Sequence, residues 1–309
     1  MTSRTDSKPL LIVITGPTGS GKTALSIELA DWLGCDIISA DSRQLYRDIP
    51  IGTAAPTADQ LASVRHHFVG ILGLEDYYSA ARFEDEVMAL LPSIFERSGG
   101  YAVMCGGSMM YIDAVVNGMD SLPTVSDSVR ADTAELYRRE GIEGLRAVLR
   151  NLDPDYLAIA DPANHKRLIH AVEISIEAGV PYSSLRTGIK KERPFRVVKM
   201  MIDYGRAELF DRINRRVDAM IEAGMVDEAR RVYPMRNLNS LNTVGFKELF
   251  AYFDGTMSYD VAIPRIAKNT RVYAKKQLTW LQRDQSVIHL DPSMPLLPQA
   301  LDALPVFTN

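Results

Sequence analysis

Short runs at residues 10–14, 37–40, 66–69 and 101–105 read as strands, and the stretches between them have helical apolar spacing. Residues 24–33, 57–64 and 78–96 place apolar side chains at three- and four-residue intervals, with Ser79 positioned to cap the third helix. Strand and helix in alternation predict an α/β fold with a parallel sheet. From residue 118 to 196 the alternation stops. Pro123, Pro154, Pro162 and Pro181 punctuate helical segments at 128–140, 142–151 and 164–178, with no strand pattern between them. The apolar run at 197–202 returns the chain to the sheet, and helices are predicted at 206–232, from 242 onward and at 263–283. The pattern divides the chain into an α/β core (9–117 and 197–290), a helical insertion (118–196) and a Pro- and Leu-rich tail (291–309), expected to dock loosely.

The first strand runs into Gly16-Pro17-Thr18-Gly19-Ser20-Gly21-Lys22-Thr23, and a helix follows at once. Strand, G-x-x-x-x-G-K-T and helix together form the context of a phosphate-binding loop. Glycines let backbone N–H groups wrap an anion, and the helix N-terminus adds its positive dipole end. Lys22 can reach a terminal phosphate, and Thr23 can hold a magnesium ion.

Composition narrows the setting. A chain of 309 residues with 46% apolar content can bury a large core. No apolar run approaches the ~20 residues needed to span a bilayer. Residues 1–8 lack the apolar stretch of a signal peptide, so a cytoplasmic protein is expected. Cys35 and Cys105 read as reduced core thiols rather than a disulfide or zinc framework. The net charge of −4 argues mildly against a nucleic-acid partner, but the average hides an asymmetry. Residues 161–283 hold 22 Lys and Arg against 14 Asp and Glu, so one half of the chain is basic and suited to a polyanion.

In open α/β sheets ligands bind beyond the carboxyl ends of the strands. Asp41, after the second run, falls on the same edge as the phosphate loop, as a functional carboxylate or a helix cap. The strand at 101–105 ends in Gly106-Gly107-Ser108, where a nucleotide hydrolase places a metal-binding Asp. The adjacent His66 and His67 face opposite ways on a strand and are not expected to bind metal. Lys166 and His170 share a helix face, with Arg167 beside them. Glu208–Arg212 and Asp211–Arg215 have ion-pair spacing, which leaves Arg216 without an acid four residues before it and open to an external anion. Lys268, Arg271 and Lys275 form a basic stripe expected to face a ligand. On these residues alone, a small-molecule kinase and a nucleotide-regulated RNA-binding protein stay open beside a transferase.

Five motifs occur in order: the phosphate loop, Asp41-Ser42-x-x-x-Tyr46, Ile51-Gly52-Thr53-Ala54, Gly106-Gly107-Ser108-x-x-Tyr111 and Tyr273-Ala274-Lys275-Lys276-Gln277-x-Thr279-Trp280. Together they resemble the bacterial-type tRNA dimethylallyltransferases, also called tRNA isopentenyltransferases, from about residue 10 to 285. The resemblance implies a P-loop NTPase-like core whose helical insertion grips the anticodon stem–loop. It implies transfer of a dimethylallyl group from dimethylallyl diphosphate to N6 of adenosine 37, beside the tRNA anticodon, with Mg2+. Asp41 then matches the general base, Thr23 a phosphate contact and Arg216 a pyrophosphate contact. RNA contacts fall on Asp41, Ser42, Arg43, Gln44, Ser108, Arg130 and the segment Lys166, Arg167, Leu168, Ile169 and His170. Gly16 to Thr23 becomes a cradle for diphosphate in place of a nucleotide. Two positions depart from the family pattern: Ser108 replaces a threonine, and His170 stands where an arginine is expected. No membrane and no second copy of the chain are expected as partners.

Overall fold

A computed structural model describes residues 8–305. Residues 1–7, part of the segment read as lacking a signal, and 306–309 of the tail lie outside the described residues. The chain forms two compact units, one of residues 1–117 with 192–309 and one of residues 118–191.

The first unit begins β1 (Leu10–Thr15), α1 (Lys22–Leu33), β2 (Ile37–Ser39), α2 (Ala58–Ser63), β3 (His66–His67), α3 (Ala80–Arg97), β4 (Tyr101–Cys105) and α4 (Met109–Asn117). The second unit holds α5 (Asp127–Leu152), α6 (Pro154–Ile159), α7 (His165–Ala178) and α8 (Tyr182–Leu185). The first resumes with β5 (Arg196–Ile202), α9 (Arg206–Glu222), α10 (Met225–Val232), α11 (Phe246–Phe253), α12 (Tyr259–Leu281), β6 (Val287–Leu290) and α13 (Leu296–Asp302).

Six strands pair in the order β3-β2-β4-β1-β5-β6, every pair parallel. All six residues of the central strand β1 are buried, which is why it reads as a continuous apolar run and not an alternation. Leu10, Ile12 and Ile14 share one face and pack with Leu25, Leu29 and Ala30 of α1 and Met200 and Ile202 of β5. The chain leaves β1 through the phosphate loop, at the carboxyl edge where the neighbouring β4 and β2 also end. That edge positions the site.

Four expectations are corrected. The tail is not loosely docked: Ala300 is fully buried, and Leu296, Leu297, Leu301 and Leu304 pack on the β1–α1 core. Residues 192–196 belong to the sheet unit and not the insertion; Arg196 N–H donates to Pro9 O across the sheet edge at 2.7 Å. The helix expected over 206–232 breaks into α9 and α10 at Gly224, whose φ of 97° only glycine adopts readily. The chain after Asp41 forms a turn and no helix, so Asp41 is not a helix cap. His67 Nε2 meets Asp36 Oδ2 at 2.8 Å, and Arg97 binds the same oxygen at 2.7 Å. Among the described residues no group of three or more His, Cys, Asp or Glu is placed to hold a metal ion.

The helical unit has its own core of Leu145, Leu149, Tyr156, Leu168, Ala171 and Val172. Asp153, fully buried, caps α6 by accepting Tyr156 N–H at 3.0 Å and takes Ser183 N–H at 2.6 Å and Ser183 Oγ at 2.7 Å. Asp153→Ala removes a cap and the acceptor of the two half-buried Ser183 donors, at an expected cost of about 2 kcal/mol. Hydrogen exchange across residues 153–185 checks this: protection should fall there while the β1 amides keep theirs.

Candidate active site

The phosphate loop takes its shape from its glycines. Gly19 and Gly21 have φ of 83° and 84°, where a side chain is strained, and Gly21 is the N-cap of α1. Lys22 folds back so that Nζ donates to Pro17 O at 2.7 Å. Burial, with the Arg216 guanidinium nearby, lowers the Lys22 ammonium to about 8, and the Asp41 carboxylate pulls the other way. Arg212 buttresses the loop from α9: its Nε donates to Gly19 O at 2.9 Å, and its guanidinium lies 4.3 Å from the Tyr204 ring centre. The expected Glu208–Arg212 ion pair is therefore replaced by a loop contact, whereas Asp211–Arg215 forms at 2.7 Å.

Beyond β2, one Asp41 carboxylate oxygen accepts Arg43 N–H at 2.9 Å and fixes the turn. Arg216 on α9 is half-buried; desolvation lowers its proton affinity, and Asp41 opposes that shift. It stays charged because a guanidinium does not lose its proton in proteins. Lys22, Thr23, Asp41 and Arg216 line one cavity of 590 Å³. Val217, Met220, Met225, Val244 and Ile266 give the cavity an apolar wall beside the charged groups.

Ser42, Arg43 and Gln44 line the cavity, but much of their bonding capacity is used internally. Ser108 Oγ accepts Ser42 N–H at 2.8 Å; Arg43 donates to Asn239 O and Ser240 O; Gln44 Nε2 donates to Ala54 O at 3.0 Å. Gly106 is required because a Cβ there would strike the Ala40 carbonyl. Cys35 is a buried thiol pushed up to about 12 by desolvation, which makes it inert. Cys105, read as a core thiol, is half-buried and lines the cavity.

Arg130, Lys166, Arg167, Leu168, Ile169 and His170 lie in the helical unit. Lys166 and Arg167 are exposed, but Leu168 is fully buried and Ile169 packs on the same core, so these two hold α7 in place and do not face a partner. His170 packs edge-on against Tyr182, and desolvation with nearby Arg130 lowers its pKa below the ordinary imidazole value. It therefore does not supply the fixed charge of an arginine.

On the α12 stripe Arg271 donates to Asn214 on α9 and Lys275 Nζ sits 5.5 Å from the Phe210 ring centre, while Lys268 and Lys275 are exposed. Lys276 and Tyr273 line the cavity. Two buried residues escaped sequence reasoning. Glu228 accepts Ile51 N–H at 2.9 Å and Gly52 N–H at 2.7 Å, holding the 51–54 loop against the cavity. Gln277 bridges the phosphate loop and β4. It sits in a quoted motif, yet nothing in its spacing marks its partners.

The family model described as IPP transferase matches residues 44–284. The tRNA dimethylallyltransferase 2 of Parabacteroides distasonis is 52% identical over 282 residues, covering 91% of this chain and 94% of that one. The tRNA dimethylallyltransferase 1 of Bacteroides thetaiotaomicron is 52% identical over 284 residues, 92% of each chain. The full-length tRNA isopentenylpyrophosphate transferase of Bacillus halodurans superposes with a TM-score of 0.68 at 33% identity, over 96% of this chain and 94% of that one. A eukaryotic dimethylallyltransferase acting on tRNA gives a TM-score of 0.78 at 25% identity, over 92% of this chain and 74% of that one. On its matched motifs, its sheet and these relatives, the chain belongs to the IPP transferase family of tRNA dimethylallyltransferases.

Proposed function

We propose that the chain transfers a dimethylallyl group from dimethylallyl diphosphate to N6 of an adenosine beside the tRNA anticodon, with Asp41 as base and the phosphate loop and Arg216 holding the diphosphate. One observation carries this reading: Asp41, Lys22 and Arg216 line a single cavity that also has an apolar wall. The wall suits a five-carbon chain. The loop amides, Lys22 and Arg216 suit the diphosphate.

In the reaction the allylic C–O bond breaks and its electron pair leaves with the diphosphate. Preorganised cations and amides stabilise that developing charge. The N6 lone pair forms the new N–C bond, and the N6 proton passes to the Asp41 carboxylate. The target base must leave its stack to reach a cavity of this kind. Thr23, the last residue of the phosphate loop, would hold magnesium through its hydroxyl. When bound, the ion would neutralise charge on the leaving group.

Incubating the protein with labelled dimethylallyl diphosphate and unmodified tRNA tests the reading. Label in the RNA, independent of ATP, supports it; phosphoryl transfer from ATP without label transfer overturns it. Donor affinity should also depend on pH. Lys22 loses its charge as pH rises through about 8 in the free protein, so the donor should bind more weakly above that point. The bound anion favours the ammonium, so the limb should shift upward in the complex. Titration calorimetry from pH 6.5 to 9.5 measures both.

Lys166 and Arg167 are proposed to contact tRNA phosphates. Replacing both with alanine should weaken tRNA binding and lower the slope of log K against log salt by about 2. An unchanged slope, measured by filter binding, removes them from the interface.

A further inference from the structure

The side of the cavity that α12 supplies runs from one kind of chemistry to another. Ile266, Thr270, Tyr273 and Gln277 recur at three- and four-residue intervals, share one face of the helix and all line the cavity. Gln277, at 3% exposure, ends that face on the phosphate loop, where its Oε1 accepts Thr18 N–H at 2.9 Å. Ile266, also buried, ends it in the apolar wall, about 16 Å away along the helix axis. Between these two buried ends Tyr273 is 40% exposed. The other exposed lining residues are Asn242, Lys247, Val272 and Lys276, so the mouth of the cavity opens beside Tyr273. A prenyl diphosphate laid along this face has its phosphates at the Gln277 end and its chain at the Ile266 end. The carbon that joins them then comes opposite the mouth.

Tyr273 is the one aromatic side chain among the described residues that line the cavity. No internal contact uses it: among the described residues its ring meets no other ring or cation, and its hydroxyl makes no hydrogen bond. Its hydroxyl end nevertheless sits in the field of Asp41. Partial desolvation raises the phenol above its ordinary pKa, the Asp41 carboxylate raises it further, and Arg43 opposes both. A purine that leaves its stack gives up favourable contact on both faces, and the site that receives it has to offset the loss. Stacking on an aromatic side chain does so for any base, and strengthens binding about five- to hundredfold as read by alanine substitution.

We propose that Tyr273 is the residue on which the extruded adenine stacks, holding its N6 amine in front of Asp41 at the mouth of the cavity. This deepens the proposed function and rests on it, since it needs an adenosine acceptor that enters the same cavity.

Binding of two anticodon stem–loop RNAs to the full chain tests it, one with adenosine at the target position and one with an abasic ribose there. The cost of unstacking the adenine belongs to the RNA and is common to every variant, so changes in the ratio of the two affinities report what the protein offers the base. In Tyr273→Ala the affinity for the adenosine RNA relative to the abasic RNA should fall by at least about fivefold, and in Tyr273→Phe it should stay within about twofold of wild type. A smaller fall in Tyr273→Ala, or a larger one in Tyr273→Phe, overturns the proposal. Inorganic pyrophosphate with magnesium, titrated by calorimetry, should bind Tyr273→Ala within about twofold of wild type. A larger loss makes Tyr273 a prop for the cavity and overturns the proposal as well. No donor is present in the RNA titrations, so they are read apart from catalysis. Prenyl transfer with an unchanged ratio would sink this inference alone; a fallen ratio without prenyl transfer would sink the transferase reading alone.

Discussion

Asp41→Ala is expected to lower the rate of prenyl transfer by about 10²–10⁴-fold, the range a positioned general base contributes. The adenine amine is a poor nucleophile, because its lone pair is delocalised into the ring and the attacking nitrogen becomes acidic only as the new bond forms. A carboxylate in place at that moment takes the proton. Asp41 is held by Arg43 N–H on one oxygen, and it faces the cations of the cavity. Since that hydrogen bond also shapes the 41–46 turn, Asp41→Asn is the cleaner control: it keeps an acceptor for Arg43 and removes the basicity. Both variants should bind tRNA within about threefold of wild type, because removing one carboxylate from a phosphate-binding surface does not reduce its cationic contacts. Single-turnover rates beside equilibrium binding separate the two effects. A near-normal rate in either variant would remove Asp41 from the chemistry.

Arg216→Gln should lower kcat/KM by about 10²–10³-fold, the usual penalty for losing one fixed group aimed at developing charge. Arg216 is half-buried in the cavity wall, where desolvation lowers its proton affinity and Asp41 opposes that shift. A cation kept in such a place at the expense of its hydration is poised to meet an anion. The variant has a second signature that a structural role would not produce. Arg216 depresses the proton affinity of Lys22, so its removal should raise the Lys22 pKa. The weakening of donor binding above about pH 8 in wild type should then move to higher pH in Arg216→Gln. Loss of rate with the pH limb unmoved would place Arg216 outside the diphosphate site.

Local patterns carried the phosphate loop, the strand edge that holds Asp41 and the start of the helical insertion at residue 118, since each rests on neighbours in sequence. Spacing alone also raised Arg216, by denying it an acid four residues earlier. Long-range partners left no such trace. Thr18 and Gln277 are 259 positions apart, and Ile51 and Glu228 are 177 apart, so neither bridge has a periodic signature. Arg212 was misread because i,i+4 spacing is a weak force, worth a few tenths of a kcal/mol, and a loop carbonyl within reach competes successfully with it. The tail was misread for another reason. Pro292, Pro295 and Pro298 suggested an irregular segment, yet Pro298 falls in the first turn of α13, where its missing N–H has no helical partner to lose. The leucines around it then form one apolar face. β6 was missed because an edge strand of four residues, Val287–Leu290, is too short to show alternation. The break at Gly224 was legible in principle, since a glycine inside a long helical pattern marks a possible end.

Product inhibition by inorganic pyrophosphate tests the central claim most directly, because that claim makes the phosphate loop the cradle of a leaving group. Initial rates of label transfer to tRNA would be measured at several donor concentrations with pyrophosphate or ATP added. Pyrophosphate is expected to compete with dimethylallyl diphosphate, to lose its potency in Arg216→Gln, and to inhibit far more strongly than ATP. Inhibition by ATP that is competitive with the donor and stronger than that of pyrophosphate would contradict the account.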